Sequence, residues 1–320
     1  MDHSEHPGVP QRPPASAHLM IDSLDRTRFN FGLNNTQTSS QTAQDFRITA
    51  QQPFLYGYFT RVAITQVFFK YRIPTIVTGK NDTFSITDLS SATTQVVTLP
   101  QGYYDATSLA AAMETAIQAL GAPFNVYTAS WNDVSKSIKV ESNNGGGLCF
   151  QPAIALTSDA GYNTLKCQNT LGITYLNGPT AVGGTPSPTQ ILSPPRLCYT
   201  SFVDICSTRM TKYQRVKDNE TGTATVQNPR SINFDPQANI IARVYLVAPN
   251  TRVVGDSTGG IGSGPVDLVV DYNTPKHIRW SPDEAIYELD FQMYDQYGDP
   301  LPWAPNYGSE FVLTCVASET

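Results

Sequence analysis

Two acids at alternate positions, Glu288 and Asp290, interrupt a run of large apolar residues in the stretch AIYELDFQMYDQYGDPLPW, Ala285 to Trp303. On a strand, residues two apart sit about 6.6 Å apart at the backbone. That is near the lower limit, roughly 6.5 Å, for the carboxyl pair of an inverting glycosidase, where one acid protonates the leaving group and the other activates water. Such chemistry needs one carboxyl desolvated enough to hold its proton at neutral pH, and nothing in the surrounding residues supplies that. A sugar would also need an aromatic platform. Gln292 beside the pair offers little, and the three tryptophans are scattered at 131, 280 and 303. The same residues read more simply as one strand, with Tyr287, Leu289, Phe291 and Met293 on one face and Glu288, Asp290 and Gln292 on the other. The apolar face then belongs in a core, and the acids are expected to point to solvent or to a neighbouring subunit.

Other chemistry finds less support. Of the four histidines, His3, His6 and His18 lie in or beside an aperiodic N-terminal stretch, and only His277 is far from it. No converging metal ligands are visible, and with no GxSxG there is no basis for a nucleophilic triad. The glycine-rich GGIGSGP at 259–265 leads through Pro265 into the strand-like VDLVVDY, whereas a dinucleotide fingerprint must open a helix. No GxxxxGK[ST] occurs. Five cysteines, Cys149, Cys167, Cys198, Cys206 and Cys315, are an odd number without a CxxC, so neither a disulfide framework nor a zinc site is expected. Reduced, partly buried thiols fit better. One basic cluster, RMTKYQRVK from Arg209 to Lys217, and a smaller one in TPKHIRW read as solvated surface balancing nearby acids, or else as a contact with packaged nucleic acid or with an acidic neighbour. A net charge of −6 argues against general nucleic-acid binding. No catalytic, cofactor-binding or metal-ligating residue is therefore expected, and the chain is read as a non-enzyme.

The elements around these residues define the class. A chain of 320 residues suffices for one large or two ordinary domains. Only 15% of the residues are charged, well under the roughly 25% usual for soluble domains. A turn-rich chain of this kind is expected to be mainly β and to assemble with copies of itself. Residues 1–18, rich in Pro, His and Ser, are expected to form a flexible arm. They contain no apolar stretch suited to a signal peptide, and no apolar run suits a membrane span. The sequons at Asn34, Asn81 and Asn219 are read as chance, and the chain as one folded in a reducing compartment.

Order is expected from HLMIDSLDR, with 34–45 as a loop. FTRVAITQVFFKYRIPTI, Phe59 to Ile76, is apolar on both alternate faces and predicts a strand buried on both sides. DTFSITD and TQVVTLP predict a hairpin. One helix is predicted, capped by Asp105, with an apolar stripe of Leu109, Met113, Ala116, Ile117 and Leu120, and stopped by Gly121 and Pro123. FNVYTASWNDVSKSIKVES predicts two strands about a turn at Asn132–Ser135. Breaks follow at Gly145–Gly147 and at 177–195. The last third is strands again: LCYTSFVDICS, NIIARVYLVAP, PVDLVVDYN, HIRW, the opening stretch and SEFVLTCVAS. Many strands punctuated by turn residues predict a sandwich or barrel. The expected division is an arm at 1–18, one β domain from 19–84 plus 191–320, and a strand–helix–hairpin insertion at 85–190.

Several stretches together resemble the penton proteins of virophages and polinton-like viruses. SFVDICSTRMTKYQRVKDNETG is similar to their DI-S-x-x-(L/M)-x-x-x-Q-x-V-K-D segment. YNTPKHIRWSPDEAIYELDFQMYDQYGDPLPW resembles their PK-x-I-x-W … L-x-F-x-(L/M)-x-D-x-x-G stretch, and EFVLTCVASET their terminal strand. TLPQGYYDATSLAAAMETAIQ matches a (L/I)-P-x-G-x-Y strand-to-helix element. The resemblance is best in the last third and hardly extends to the first 45 residues. It implies a single jelly-roll β-sandwich with an inserted domain, forming homopentamers at the vertices of an icosahedral virion, built inside the host cell beside capsomers of a major capsid protein. It implies no catalytic residue and no cofactor. The insertion would face outward, where it could touch a host surface. The alternatives are a jelly-roll carbohydrate-binding or attachment (spike) protein of a virus, and a cytoplasmic scaffold unrelated to virions.

Overall fold

The computed structural model describes residues 16–25, 42, 44–50, 52–54, 59, 61–143, 145–150, 159–174, 188–211, 239–246, 251–254, 264–279, 285–304 and 308–318. Eight strands in chain order make the main body: β1 (Ser16–Asp22), β2 (Asp45–Thr49), β3 (Arg61–Arg72), β10 (Phe202–Cys206), β11 (Ile240–Tyr245), β13 (Val266–Asp271), β15 (Glu288–Tyr294) and β16 (Gly308–Ser318). The first pairs with the last, β1 with β16, then β2 with β15, β3 with β13 and β10 with β11, all antiparallel. This is one long hairpin rolled up. Pairings of β16 with β3 and of β15 with β10 close the roll into two sheets, β1-β16-β3-β13 and β2-β15-β10-β11. That order is the jelly roll. Two short strands, β12 (Thr251–Val254) and β14 (His277–Arg279), extend the first sheet by pairing with β13 and β3.

The two sheets share one core. Val67, Phe69 and Tyr71 of β3, Val266, Leu268 and Val270 of β13, and Phe311, Leu313 and Cys315 of β16 meet Phe46 and Ile48 of β2, Val203 and Ile205 of β10, and Leu289, Phe291 and Met293 of β15. Phe46, Phe291 and Phe311 bridge the sheets, with ring centroids 5.3 to 5.7 Å apart and the Phe291–Phe311 pair edge-on. The last three apolar positions of IYELDFQM are thus fully buried, as the alternation predicts. Tyr287, expected on the same face, precedes the strand and stays 49% exposed. The arm boundary at 18 also differs: Ser16, Ala17 and His18 already pair with Ser318, Ala317 and Val316, and the rest of the arm lies outside the described residues.

β3 corrects a third expectation. Its apolar residues on both alternate faces do not mean burial on both sides. Gln66 pairs with Thr314 but Ile64 pairs with Cys315, so Thr65 is an extra residue, a β-bulge. The bulge shifts the side-chain phase by one. Val62 and Ile64 before it, and Val67, Phe69 and Tyr71 after it, therefore point into the same core. Phe68, Lys70 and Arg72 lie on the outer face and are only half-buried. Thr65 Oγ1 donates to the Thr314 carbonyl at 3.2 Å across the irregularity.

Between β3 and β10 the chain builds a second core. β4 (Thr83–Asp88) and β5 (Thr93–Thr98) form the predicted hairpin, joined by β8 (Leu148–Phe150). β6 (Tyr127–Asn132) and β7 (Ser137–Ser142) form the other, joined by β9 (Thr189–Ile191). Helix α1 (Ala106–Gln118) has Asp105 and Ser108 in a reciprocal capping box and buries Leu109, Ala110, Met113 and Ile117. This core runs from Ile76 to Leu192. A second helix, α2 (Asp159–Leu171), has no counterpart in the sequence reading. Its buried positions are Asn163, Lys166, Cys167, Gln168, Thr170 and Leu171, four of them polar, so a search for an apolar stripe passes over it. Asn163 docks it by accepting from the N–H groups of Asp82 and Thr83 and donating to Asp82 Oδ1. Gly172 ends it with φ +77°, where a Cβ would lie 1.9 Å from the Ser193 carbonyl oxygen, so only glycine lets the returning chain cross there.

Asp88 ties the insertion's two hairpins. Its Oδ1 accepts from Ser90 and Ser91, and its Oδ2 from the Tyr127 hydroxyl at 2.6 Å. Burial pushes this carboxyl up, but the hydrogen bonds from Ser90, Tyr127 and Ser91 outweigh it and hold the pKa at about 2. A depressed carboxyl stabilises the fold above its unfolded value, near 3.9, and loses that contribution as the pH falls toward the folded value. Asp88→Asn should therefore flatten the acid side of the stability curve between about pH 4 and pH 2, read by urea unfolding. Phe291→Ala should cost about 3–5 kcal/mol in the same assay, because its two ring partners cannot close the gap.

Candidate functional site

The acid pair sits on the outer face of the second sheet. β15 places Glu288 and Asp290 opposite Thr49 and Arg47 of β2, while Leu289 and Phe291 hold the strand to the core. Asp290 is a turn-capping residue. It accepts from the Ser207 hydroxyl (3.0 Å), from the N–H groups of Thr208 (3.2 Å) and Arg209 (2.8 Å), and from the Thr208 hydroxyl. Glu288 Oε1 lies 3.1 Å from Arg47 Nε and 3.3 Å from Arg209 Nη2. It makes no directed hydrogen bond there, so the contact is one of charge. The acids lie on the outer face, as expected, and both are also engaged within the chain by the turn after β10.

The other sequence candidates do not converge. His18 and His277 lie in one sheet with β16 and β3 between them, and His3 and His6 fall outside the described residues. Among the described residues no group of three or more His, Cys, Asp or Glu could hold a metal ion. All five cysteines are free, and only Cys198 is not fully buried. Burial pushes the thiols of Cys198, Cys206 and Cys315 up to about 12, which keeps them protonated at neutral pH. Residues 259–263 of GGIGSGP are not among the described ones, but Pro265 does lead into β13. Of RMTKYQRVK only Arg209–Thr211 are described.

Sequence reasoning missed the most demanding charge constellation. Lys166 of α2 is 3% exposed, and its Nζ lies 2.7 Å from both Asp295 Oδ2 and Asp299 Oδ2 in the turn between β15 and β16. The ammonium also sits 5.0 Å from the Tyr297 ring centroid and 5.5 Å from that of Tyr199, within cation–π range. Asp295 Oδ1 accepts from the N–H groups of Tyr297 (2.8 Å) and Asp299 (3.0 Å), and Gly298 completes the turn with φ +76°. Asn169 donates to the Tyr297 hydroxyl at 2.7 Å. One buried cation thus joins the insertion to the jelly roll. Burial pushes the ammonium down, but Asp295 and then its other neighbours outweigh that and hold its pKa above the ordinary value. Asp295 is raised, first by burial and also by the second carboxylate, Asp299, while Lys166 pulls it down.

The segments that carry the sequence resemblance hold these contacts. In L-x-F-x-M-x-D-x-x-G, Leu289, Phe291 and Met293 are core, while Asp295 and Gly298 form the Lys166 turn. In DICS, Asp204 accepts two bonds from Arg243, at 2.6 and 2.8 Å, and Ser207 meets Asp290. In LPQGYY, a Cβ on Gly102 would press on the Tyr104 ring at 3.2 Å, and the Tyr104 hydroxyl donates to the Pro100 carbonyl.

The chain matches no protein-family model and no curated protein. Similar solved structures exist. The crystal structure of selenomethionine-labelled mavirus penton protein is 12% identical, with a TM-score of 0.49 over 96% of this chain and 99% of that one. The 3.5 Å cryo-EM structure of the Sputnik virophage includes a chain also 12% identical, with a TM-score of 0.38 over 96% and 98% of the two chains.

Removing Lys166 strands two buried carboxylates. Lys166→Ala should cost about 3–5 kcal/mol in chemical denaturation, whereas Lys166→Ala with both aspartates changed to Asn should recover much of the loss. A raised lysine contributes fully below its unfolded value, near 10.4, and loses that only as pH climbs past the folded one. The joint should therefore hold unchanged from pH 7 to 10, read by hydrogen exchange of the 295–299 turn.

Proposed function

We propose that this chain is a structural capsid protein, a vertex capsomer that assembles as a homopentamer in an icosahedral virion. The observation that carries the proposal is the rolled-hairpin order of eight strands with a second core inserted between the third and fourth, on a chain whose resemblance segments fall at the strands and turns that hold this arrangement together. A jelly roll by itself does not name a function; the ordered segments add that. On this reading the work is done by surface complementarity, with one patch of each subunit against a different patch of the next. No reaction is catalysed, and the acid pair that prompted the carbohydrate reading is occupied inside the chain.

The arm is the part proposed to reach neighbouring capsomers, and its boundary is set by β1. The insertion, taken as the stretch that builds the second core, is proposed to face outward. The turn between β6 and β7 suits a test, since Val134 at its tip is 96% exposed. A peptide tag placed there should appear by cryo-EM as density outside the shell on the fivefold axes of particles formed with the major capsid protein. Tag density on the faces, or inside the shell, would overturn the vertex reading. Deleting residues 1–15 should reduce incorporation while leaving the unfolding midpoint unchanged.

A further inference from the structure

The contacts around Lys166 also form a reaction geometry. Its Nζ lies 2.7 Å from Asp295 Oδ2, so the Asp295 carboxyl carbon stands one C–O bond beyond that contact. The other oxygen of the carboxyl, Oδ1, accepts from the N–H groups of Tyr297 and Asp299 at 2.8 and 3.0 Å. Two backbone donors on one oxygen are the arrangement that holds an oxyanion during acyl transfer. A second carboxylate oxygen, Asp299 Oδ2, stands 2.7 Å from the same nitrogen. The Lys166 and Asp295 side chains are 3% and 0% exposed, so water is largely excluded, while Asp299 at 11% lies at the edge. An amine, an acyl carbon, oxyanion donors and a proton carrier thus meet in one dry site.

We infer that Lys166 and Asp295 close an intramolecular isopeptide bond, with Asp299 as proton carrier. The ion pair is the reactant. One proton passes from Nζ to Asp295 Oδ2, leaving a neutral amine and a neutral carboxyl. The Nζ lone pair attacks the carboxyl carbon, and the C=O electron pair moves to Oδ1, where the Tyr297 and Asp299 N–H groups hold the charge. Asp299 takes a second proton from Nζ and delivers it to the Oδ2 hydroxyl. That C–O bond breaks, Oδ1 regains its double bond, and one water leaves past Asp299. Ammonium and carboxylate become amide and water with no oxidant or co-reactant, and Asp299 ends as it began. Burial, the largest influence on both Lys166 and Asp295, favours the neutral forms from which the attack starts. The carboxylates still keep Lys166 charged at rest, so closure is slow and happens once per molecule. Holding the groups in contact supplies an effective concentration of about 10⁵ M or more, which lets a small neutral fraction suffice. The product ties α2 to the 295–299 turn covalently, and with it the insertion to the jelly roll. This inference stands independently of the capsid reading.

Mass spectrometry of the full-length chain tests it. After one week at neutral pH, most wild-type molecules should be lighter than the sequence by the mass of one water. Trypsin does not cut after an acylated lysine, so digestion should give peptide 140–196 joined to peptide 280–320, with fragment ions placing the bond between Lys166 and Asp295. Asp299→Asn keeps the size of the side chain but not its base. It should fold with the wild-type circular dichroism and close the bond at least about 100-fold more slowly. A wild-type chain that keeps its full mass would overturn the inference, as would a lost water mapped to any other pair of residues. Closure at the wild-type rate in Asp299→Asn would overturn the role given to Asp299.

Discussion

The eleven residues of β16 run alongside β3, and that pairing must change phase once, at Thr65. The arrangement of both sheets rests on that step. Without the extra residue, one half of β3 would turn Val62 and Ile64 outward while the other half kept Val67, Phe69 and Tyr71 inward, because alternation has a strict period of two. The bulge lets a twelve-residue strand serve one core along its whole length. It also carries β3 to the place where the chain leaves the shell. There the Tyr71 hydroxyl accepts from the Tyr199 N–H of the returning chain, and the Arg72 carbonyl accepts from the Tyr103 hydroxyl. The strand at the centre of the shell is therefore also the root of the insertion.

Few charges are available to this chain, and three of the buried ones, Lys166, Asp295 and Asp299, sit where two bodies meet. Two separate apolar cores could slide against each other, since apolar contact is non-directional. Lys166 removes that freedom. Its ammonium finds two carboxylates only in one placement of α2 against the 295–299 turn, and any other placement leaves a desolvated charge. A buried ion pair of this kind adds little net stability over apolar packing of the same volume; its effect here is to define one joint. Burial of the joint, which is the first cause of the raised Asp295, is the cost of that definition.

The outer face of the second sheet follows a related rule at lower stakes. Asp290 satisfies a turn and Glu288 lies in charge contact with two arginines, so acids that look catalytic by spacing act as supports. Spacing on a strand gives the distance between two carboxylates but not what folds over them, and in this chain the turn after β10 does so. The same turn brings Arg209, distant in sequence from both acids, into the site.

Much of the architecture was legible in local residues. The strand at Glu288–Tyr294, both insertion hairpins and the capped helix α1 follow from period-two alternation, turn residues and the Asp105–Ser108 box, all signals carried within a dozen residues. The order of such segments along the chain gave a sandwich or barrel, and the jelly roll was only what the resemblance implied. Three things lay beyond that reach. Helix α2 buries polar side chains whose partners are in β4 and in the turn before β16, so its own sequence shows no stripe. The bulge in β3 mimics two-sided burial, and only its register with β16 distinguishes them. The Lys166 site joins residues 129 and 133 positions apart. Local periodicity determined which segments become strands and helices; the closing of the roll decided which charges meet, because burial makes an unpaired charge costly and its partners are chosen by the packing of distant segments.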